Sequence, residues 1–218
     1  MKGSKDKFGY SKEEVKLFRR LNTPAKIQDY LNFTPFNFED GWGTCLSPRR
    51  AIRQNRADCI EGALLASAAL EFHGYEPLVV DLRSLKKPYD YDHVIAVFRK
   101  DGFWGAISKT NHSVLRYREP IYKNMRELVM SYFHEYFLGS GQKTLREYSL
   151  PFNLNYFNKV NWRTSEKNLS EIMVHLDKIK HFKILNKSQE KNLRKADKIE
   201  IESTKMVEYQ NEKIRRRK

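Results

Sequence analysis

The chain has 218 residues, with 41 Lys+Arg against 27 Asp+Glu, a formal net charge of +14 and a pI near 9.7. A hydrophobic fraction of 40% with 13% aromatic residues is enough for a packed core and excludes a wholly disordered chain. Two cysteines exclude a disulfide scaffold and fit a reducing compartment, no run reaches the ~18 apolar residues of a membrane helix, and the first residues lack the apolar stretch of a secretory signal, so the expectation is a soluble, cytoplasmic protein with no membrane partner.

Ser11 and Glu14 form an S-x-x-E capping pattern ahead of Val15, Leu17, Phe18 and Leu21, whose spacing sets most of them on one helix face. Thr23 and Pro24 open a second short helix with Ile27, Tyr30 and Leu31 as its apolar side. Residues 32–50 read as loop, punctuated by Pro35, Gly41, Gly43 and Pro48. The stretch 59–73, C-I-E-G-A-L-L-A-S-A-A-L-E-F-H, is apolar almost all round and predicts a buried helix that stops at Gly74. Residues 77–82 and 93–99 read as buried strands, with Lys100, Asp101 and Gly102 as a hairpin turn and 103–108 as the return strand. Arg116, Tyr117 and Arg118 then form a basic stretch, open to three readings: a pocket lining, a phosphate-backbone contact or a surface strand. Residues 122–137 read as an amphipathic helix with Leu128, Tyr132 and Tyr136 at helical spacing. The runs S-Y-F-H-E-Y-F and K-T-L-R-E-Y-S read as helix and loop packing onto the sheet. Helices, a buried helix, an antiparallel sheet and helices again make an α+β layout.

The last 58 residues, 161–218, hold 16 Lys+Arg and 9 Asp+Glu, which is half of the whole positive excess. From residue 186 onward Tyr209 is the only aromatic, so little apolar surface is available to offset ordering entropy. The expected organisation is a main domain over 1–160, a helical extension over 161–184, and a basic tail over 185–218 that is frayed helix or disordered. That tail is either solubilising or a nucleic-acid or partner contact.

Cys59 is the residue that chemistry must explain. It stands where the loop 54–58 turns into the most hydrophobic helix of the chain. A helix N-terminus carries unpaired N–H groups and partial positive charge, which lower a thiol pKa and can bind a developing oxyanion. A small buried hydrophobe is the alternative reading. His93 opens a strand, and a strand lying against the N-terminal end of that helix would bring an imidazole to the thiol as general base. A structural histidine at a strand edge is the alternative. Cys45, Cys59, His73 and His93 contain no pair at the close spacing of a structural zinc site. G-x-S-x-G, P-loop and dinucleotide fingerprints are missing, so neither metal nor organic cofactor is implied.

The run N-R-A-D-C-I-E-G-A-L-L-A-S-A-A-L-E-F-H-G-Y-E-P-L-V-V-D-L resembles the core of the transglutaminase-like superfamily, in which a cysteine starts a helix that ends at a glycine before a strand. The second block, D-H-V-I-A-V-F-R-K-D-G-F-W-G-A-I-S-K-T, resembles that superfamily's histidine strand, hairpin and tryptophan-containing return strand. The resemblance covers about residues 42–112. It implies a papain-like core, a buried helix against an antiparallel sheet with flanking helices, with Cys59 as nucleophile and His93 as base. The aspartate that orients the histidine in the superfamily falls here on Ser108. Asn111 is the other candidate for that role, taken slightly ahead of Ser108 because papain-like enzymes use asparagine there. Trp42 and Gln54, upstream of Cys59, are candidate side-chain oxyanion donors; the alternatives are core packing for Trp42 and solvent exposure for Gln54. Glu61 suits the helix dipole, and Trp104 reads as a sheet-face core residue. The implied activity is thiolate attack on an amide or ester carbonyl of a peptide or protein substrate, through a thioester released to water or to an amine. The rival expectation is a catalytically degenerate member that binds nucleic acid or another acidic partner through its basic surface.

Overall fold

The computed structural model describes residues 8–38 and 44–211. The chain opens with α1 (Lys12–Arg20), where Ser11 and Glu14 complete a reciprocal capping box. Thr23 caps α2 (Pro24–Phe33), with Pro24 at its first position. A third helix, α3 (Pro48–Gln54), begins inside the stretch read as loop. Ser47 caps it and Pro48 supplies its first turn, a serine-proline start that the surrounding glycines and prolines hid.

The central helix α4 (Cys59–Phe72) is buried on all sides from residue 60 to 70, as its all-apolar sequence dictates. Seven strands follow: β1 (Leu78–Arg83), β2 (His93–Lys100), β3 (Phe103–Ile107), β4 (Arg118–Tyr122), β5 (Glu147–Ser149), β6 (Phe152–Asn153) and β7 (His181–Lys183). They form one antiparallel sheet in the order β4-β3-β2-β1-β5-β7, with β6 also paired to β1. Asp101 (φ 51°) and Gly102 (φ 87°) are both left-handed, the backbone a two-residue hairpin turn needs between β2 and β3.

Alternation along the strands divides the core between two faces. Val79, Val94, Ala96, Phe98 and Ile107 face α4. Val80, Leu82, Ile95, Val97 and Ala106 face a second layer built on α5 (Met125–Phe133). At Gly62 a methyl group would lie 2.4 Å from Lys109 Cβ, so glycine there lets α4 close on the end of β3.

Three stretches differ from expectation. The helix read over 122–137 is shorter, because Asn124 caps α5 and residues 118–122 pair with β3 as a surface strand. The K-T-L-R-E-Y-S run supplies strand β5. Residues 161–184 are part of the same body rather than a helical extension. Trp162 is fully buried, the Arg163 guanidinium meets both Glu71 oxygens at 2.5 and 2.7 Å, and α6 (Ser170–Lys178) adds Ile172 and Leu176 to the α4 core.

Beyond that, α7 (Lys187–Lys191) and α8 (Lys198–Thr204) stand where disorder or fraying was expected. Each begins in a capping box, Asn186 with Gln189 and Asp197 with Glu200. Leu185 and Leu193 pack on the α5 core and Ala196 is buried, and polar docking, which an argument from apolar composition does not count, holds the rest. The basic residues 212–218 at the end of the tail lie outside the described residues. No helix among the described residues is long and apolar enough to cross a membrane.

Candidate active site

The site begins at the N-terminus of α4. Asp58 caps the helix by accepting the Glu61 N–H at 2.9 Å, and Glu61 returns the bond by accepting the Asp58 N–H at 3.0 Å. Glu61 is fully buried and accepts three further bonds, from Asn37 Nδ2, Thr44 Oγ1 and the Leu46 N–H, each at 2.9 Å. A carboxylate can be buried at modest cost only when donors of this kind surround it. The last three bonds tie both ends of segment 37–46 to the first turn beside Cys59. Trp42, the candidate oxyanion donor on that segment, lies outside the described residues.

Cys59 is the first residue of α4 and is half-buried. The backbone N–H groups of Val94 and Ile60 are near enough to its sulfur to favour the thiolate. The thiol therefore rests against the residue that follows His93 in β2. Burial, and next the Asp58 carboxylate, push the thiol up to about 12, and the two N–H groups only partly offset this. The sequence expectation of a lowered thiol pKa at a helix N-terminus is reversed here, because desolvation and the capping acid outweigh the dipole. Asp58 is itself pushed up to about 8 by burial and by Glu61.

His93 opens β2 and is buried. Its Nε2 lies 2.8 Å from Ser108 Oγ, and the Ser108 hydroxyl donates its one proton to the Leu115 carbonyl at 2.5 Å. The serine oxygen therefore accepts from the imidazole, which puts the ring proton on Nε2 and leaves Nδ1 as the basic nitrogen. Gln28 of α2 fixes the backbone of Ser108 on both sides, accepting its N–H and donating to its carbonyl, each at 2.9 Å. Burial lowers His93 to about 4, so the ring is neutral at physiological pH. Strand alternation sets His93 and Ser108 on the α5 side, whereas Val94 faces α4. The thiol lies by Val94, the neighbour of His93 in β2, and no hydrogen bond joins thiol and imidazole among the described residues.

Of the two candidates for orienting His93, the geometry selects Ser108. Asn111 is turned away and grips the backbone of Tyr209 with both ends of its amide. Gln54, at the end of α3, accepts at its amide oxygen from the Arg56 guanidinium at 3.0 and 3.1 Å. No described contact joins it to Cys59. Trp104 is half-buried on β3, with the Arg99 guanidinium 5.9 Å from its ring centre.

Arg116 and Arg118 are taken up internally, by Glu208 at 2.9 Å and by Glu135 at 2.7 Å, and the Arg118 guanidinium also lies 4.2 Å from the Tyr132 ring centre. Cys45 is buried, and burial pushes its thiol well up. Asp81, Asp92 and Asp177 are close enough to share a cation. However, His181 occupies Asp81 at 2.9 Å, while Ser84 and Lys86 occupy Asp92. No protein-family model matches the chain, and no curated protein sequence matches it.

The sequence reading passed over the buried carboxylate hub at Glu61 and the clamp by Gln28. The first had a legible signal in the D-x-x-E of Asp58 and Glu61 just before an apolar run. The second had none, because Gln28 and Ser108 are 80 positions apart.

Proposed function

We propose that the chain is a transglutaminase-like cysteine enzyme acting on an amide or ester carbonyl. Cys59 attacks the carbonyl carbon, the carbon–sulfur bond forms, and the bond to the amine or alcohol breaks. His93 takes the thiol proton at Nδ1 and returns it to the leaving group. Water or a second amine then releases the acyl group from the thioester. The order of elements supports this reading: a cysteine at the first position of a buried helix, then an antiparallel sheet whose second strand opens on a histidine.

The observation that carries it is the fixed tautomer of His93. Ser108 holds the proton on Nε2, so the nitrogen left as a base is Nδ1. With the thiol near 12 and the imidazole near 4, a standing ion pair is scarce. The proton must move as the sulfur closes on the carbonyl, which makes His93 a general base in the attack step rather than the partner of a preformed thiolate. The substrate class is a peptide or protein amide.

The test is an electrophilic amide library applied to the full-length chain and to Cys59→Ala and His93→Ala. Acylation of Cys59 that needs both residues is the expected result. Equal labelling of Cys45 and Cys59, unchanged by His93→Ala, would sink the reading.

One observation favours a catalytically degenerate binding module instead: a hydroxyl, not a carboxylate, partners His93. That alternative expects an acidic partner, with nucleic-acid affinity that falls steeply with salt and survives Cys59→Ala.

A further inference from the structure

Residues 197–211 contribute no buried side chain, and Ile199 and Met206 are 79% and 72% exposed. Directional contacts therefore hold this strap to the domain, not core burial. The contacts gather on the loop after β3. Asn111 reads the backbone of one residue completely: its Oδ1 accepts the Tyr209 N–H at 2.9 Å, and its Nδ2 donates to the Tyr209 carbonyl at 3.0 Å. The Asn111 carbonyl also accepts the Glu208 N–H at 3.0 Å, and His112 pairs with Val207 as an isolated bridge.

Two side chains give the contact its sequence preference. Glu208 meets Arg116 at 2.9 Å. The Tyr209 ring lies 5.0 Å from the Lys109 ammonium, and its hydroxyl donates to the Asn32 carbonyl at 2.8 Å. One receiving group is built independently of the strap: the Lys109 ammonium is held by the Leu31 and Thr34 carbonyls at 2.8 and 2.6 Å. Main-chain bonds for affinity with side-chain seats for selectivity are how folded domains recognise extended peptides.

We propose that Asn32, Lys109, Asn111 and Arg116 form a peptide-recognition slot for an extended Glu-Tyr segment, occupied in cis by Glu208 and Tyr209, and that the strap releases without unfolding of the domain. A tethered segment is present at an effective concentration in the millimolar range, so a slot of only millimolar intrinsic affinity is filled by its own chain. Elements fastened by a few exposed bonds open at a small fraction of the global unfolding free energy. The slot makes no use of Cys59, so its failure and that of the acyl-transfer reading are separate.

The test uses the full-length chain carrying Tyr209→Ala and a labelled synthetic peptide of residues 203–211. Fluorescence anisotropy should show the peptide binding this variant at least about tenfold more tightly than the unmodified chain, whose slot is filled in cis. Adding Asn111→Ala, or Asn111→Asp if the alanine variant does not fold, should abolish or sharply weaken that binding. Native-state hydrogen exchange on the unmodified chain should show the Glu208 and Tyr209 amides opening far more readily than Val97 in β2. The proposal is overturned if the peptide fails to bind Tyr209→Ala at millimolar concentration, if binding is indifferent to Asn111, or if the Glu208 and Tyr209 amides exchange only on global unfolding.

Discussion

Two histidines with buried rings open two strands of the same sheet, and their partners differ in the way that matters for chemistry. His181, at the start of β7, faces the Asp81 carboxylate with Nε2 at 2.9 Å and the Ile179 carbonyl with Nδ1 at 2.8 Å. His93, at the start of β2, hydrogen-bonds among the described residues to the Ser108 hydroxyl alone, through Nε2. A search for a histidine with a carboxylate behind it would select His181. Yet both nitrogens of His181 are turned to protein acceptors, so neither is open to a thiol or a substrate. A general base needs one nitrogen fixed and the other available. His93 meets that condition without a charge, so a carboxylate partner is not what marks the candidate base here.

The strongest way to break this comparison is to remove each ring in turn. His93→Ala, like Cys59→Ala, should lower acylation of an activated amide probe by on the order of 10³-fold, the usual scale for losing a base or nucleophile. His181→Ala should act on stability instead. It leaves the buried Asp81 carboxyl unpaired, which costs about 3–5 kcal/mol in urea unfolding, while the rate per folded molecule stays near that of the parent. A comparable loss of rate in folded His181→Ala would erase the distinction.

The pH dependence of stability sharpens the contrast next. Burial lowers His93 from its ordinary 6.5 to about 4, so between those values the unfolded chain binds a proton that the folded chain refuses. Stability contributed by the neutral ring is complete above pH 6.5 and is lost as pH falls toward 4. The full effect is about 3 kcal/mol at 1.36 kcal/mol per pKa unit. Urea titrations across this window should show the fall, and His93→Gln should flatten it. An unchanged slope in that variant would show that the ring is not held neutral.

Legibility in the sequence follows the range of the physics involved. The helices α1, α2 and α4 and the strands β1, β2 and β3 are announced by signals a few residues long: a capping box, a threonine-proline start, an all-apolar run and an Asp-Gly turn. Cys59 and His93 are legible for the same reason, since each opens one of those elements. The choice between Ser108 and Asn111 is not local. Gln28, 80 positions upstream, pins Ser108, and Tyr209, 98 positions downstream, captures Asn111. The protonation of Cys59 is likewise illegible, because the helix dipole can be read from neighbours whereas burial and the approach of β2 cannot. The order of segment 185–211 rests on caps and polar contacts together with Leu185, Leu193 and Ala196, too few apolar residues for composition to signal.

Smaller effects follow from changing the partner rather than the ring. Ser108→Ala leaves the His93 Nε2 proton and the Leu115 carbonyl without their shared hydroxyl, worth about 1–3 kcal/mol of stability, and frees the ring to adopt the other tautomer. Acylation should fall by about tenfold, which is the rate equivalent of 1.4 kcal/mol. Ser108→Asp reverses the sign at His93. A carboxylate beside Nε2 favours the charged ring, so an NMR titration should find His93 well above its present value near 4. If neither substitution moves the His93 titration, Ser108 is not its working partner.

The smallest predicted change is at the thiol itself. Asp58 raises Cys59 through its charge, second only to burial, and it also caps α4. Asparagine caps a helix about as well as aspartate, so Asp58→Asn removes the charge and keeps the helix start. The thiol should then titrate lower, by less than the burial contribution that remains. Iodoacetamide labelling of Cys59 at mildly alkaline pH should accelerate by up to about tenfold, the rate equivalent of one pKa unit. Asp81 supplies the internal control. Its charge also raises Cys59, but less than that of Asp58. Asp81→Asn should therefore alter Cys59 labelling less than Asp58→Asn while costing more stability. The reverse ranking would mean that the acid held by His181, and not the helix cap, sets the state of the thiol.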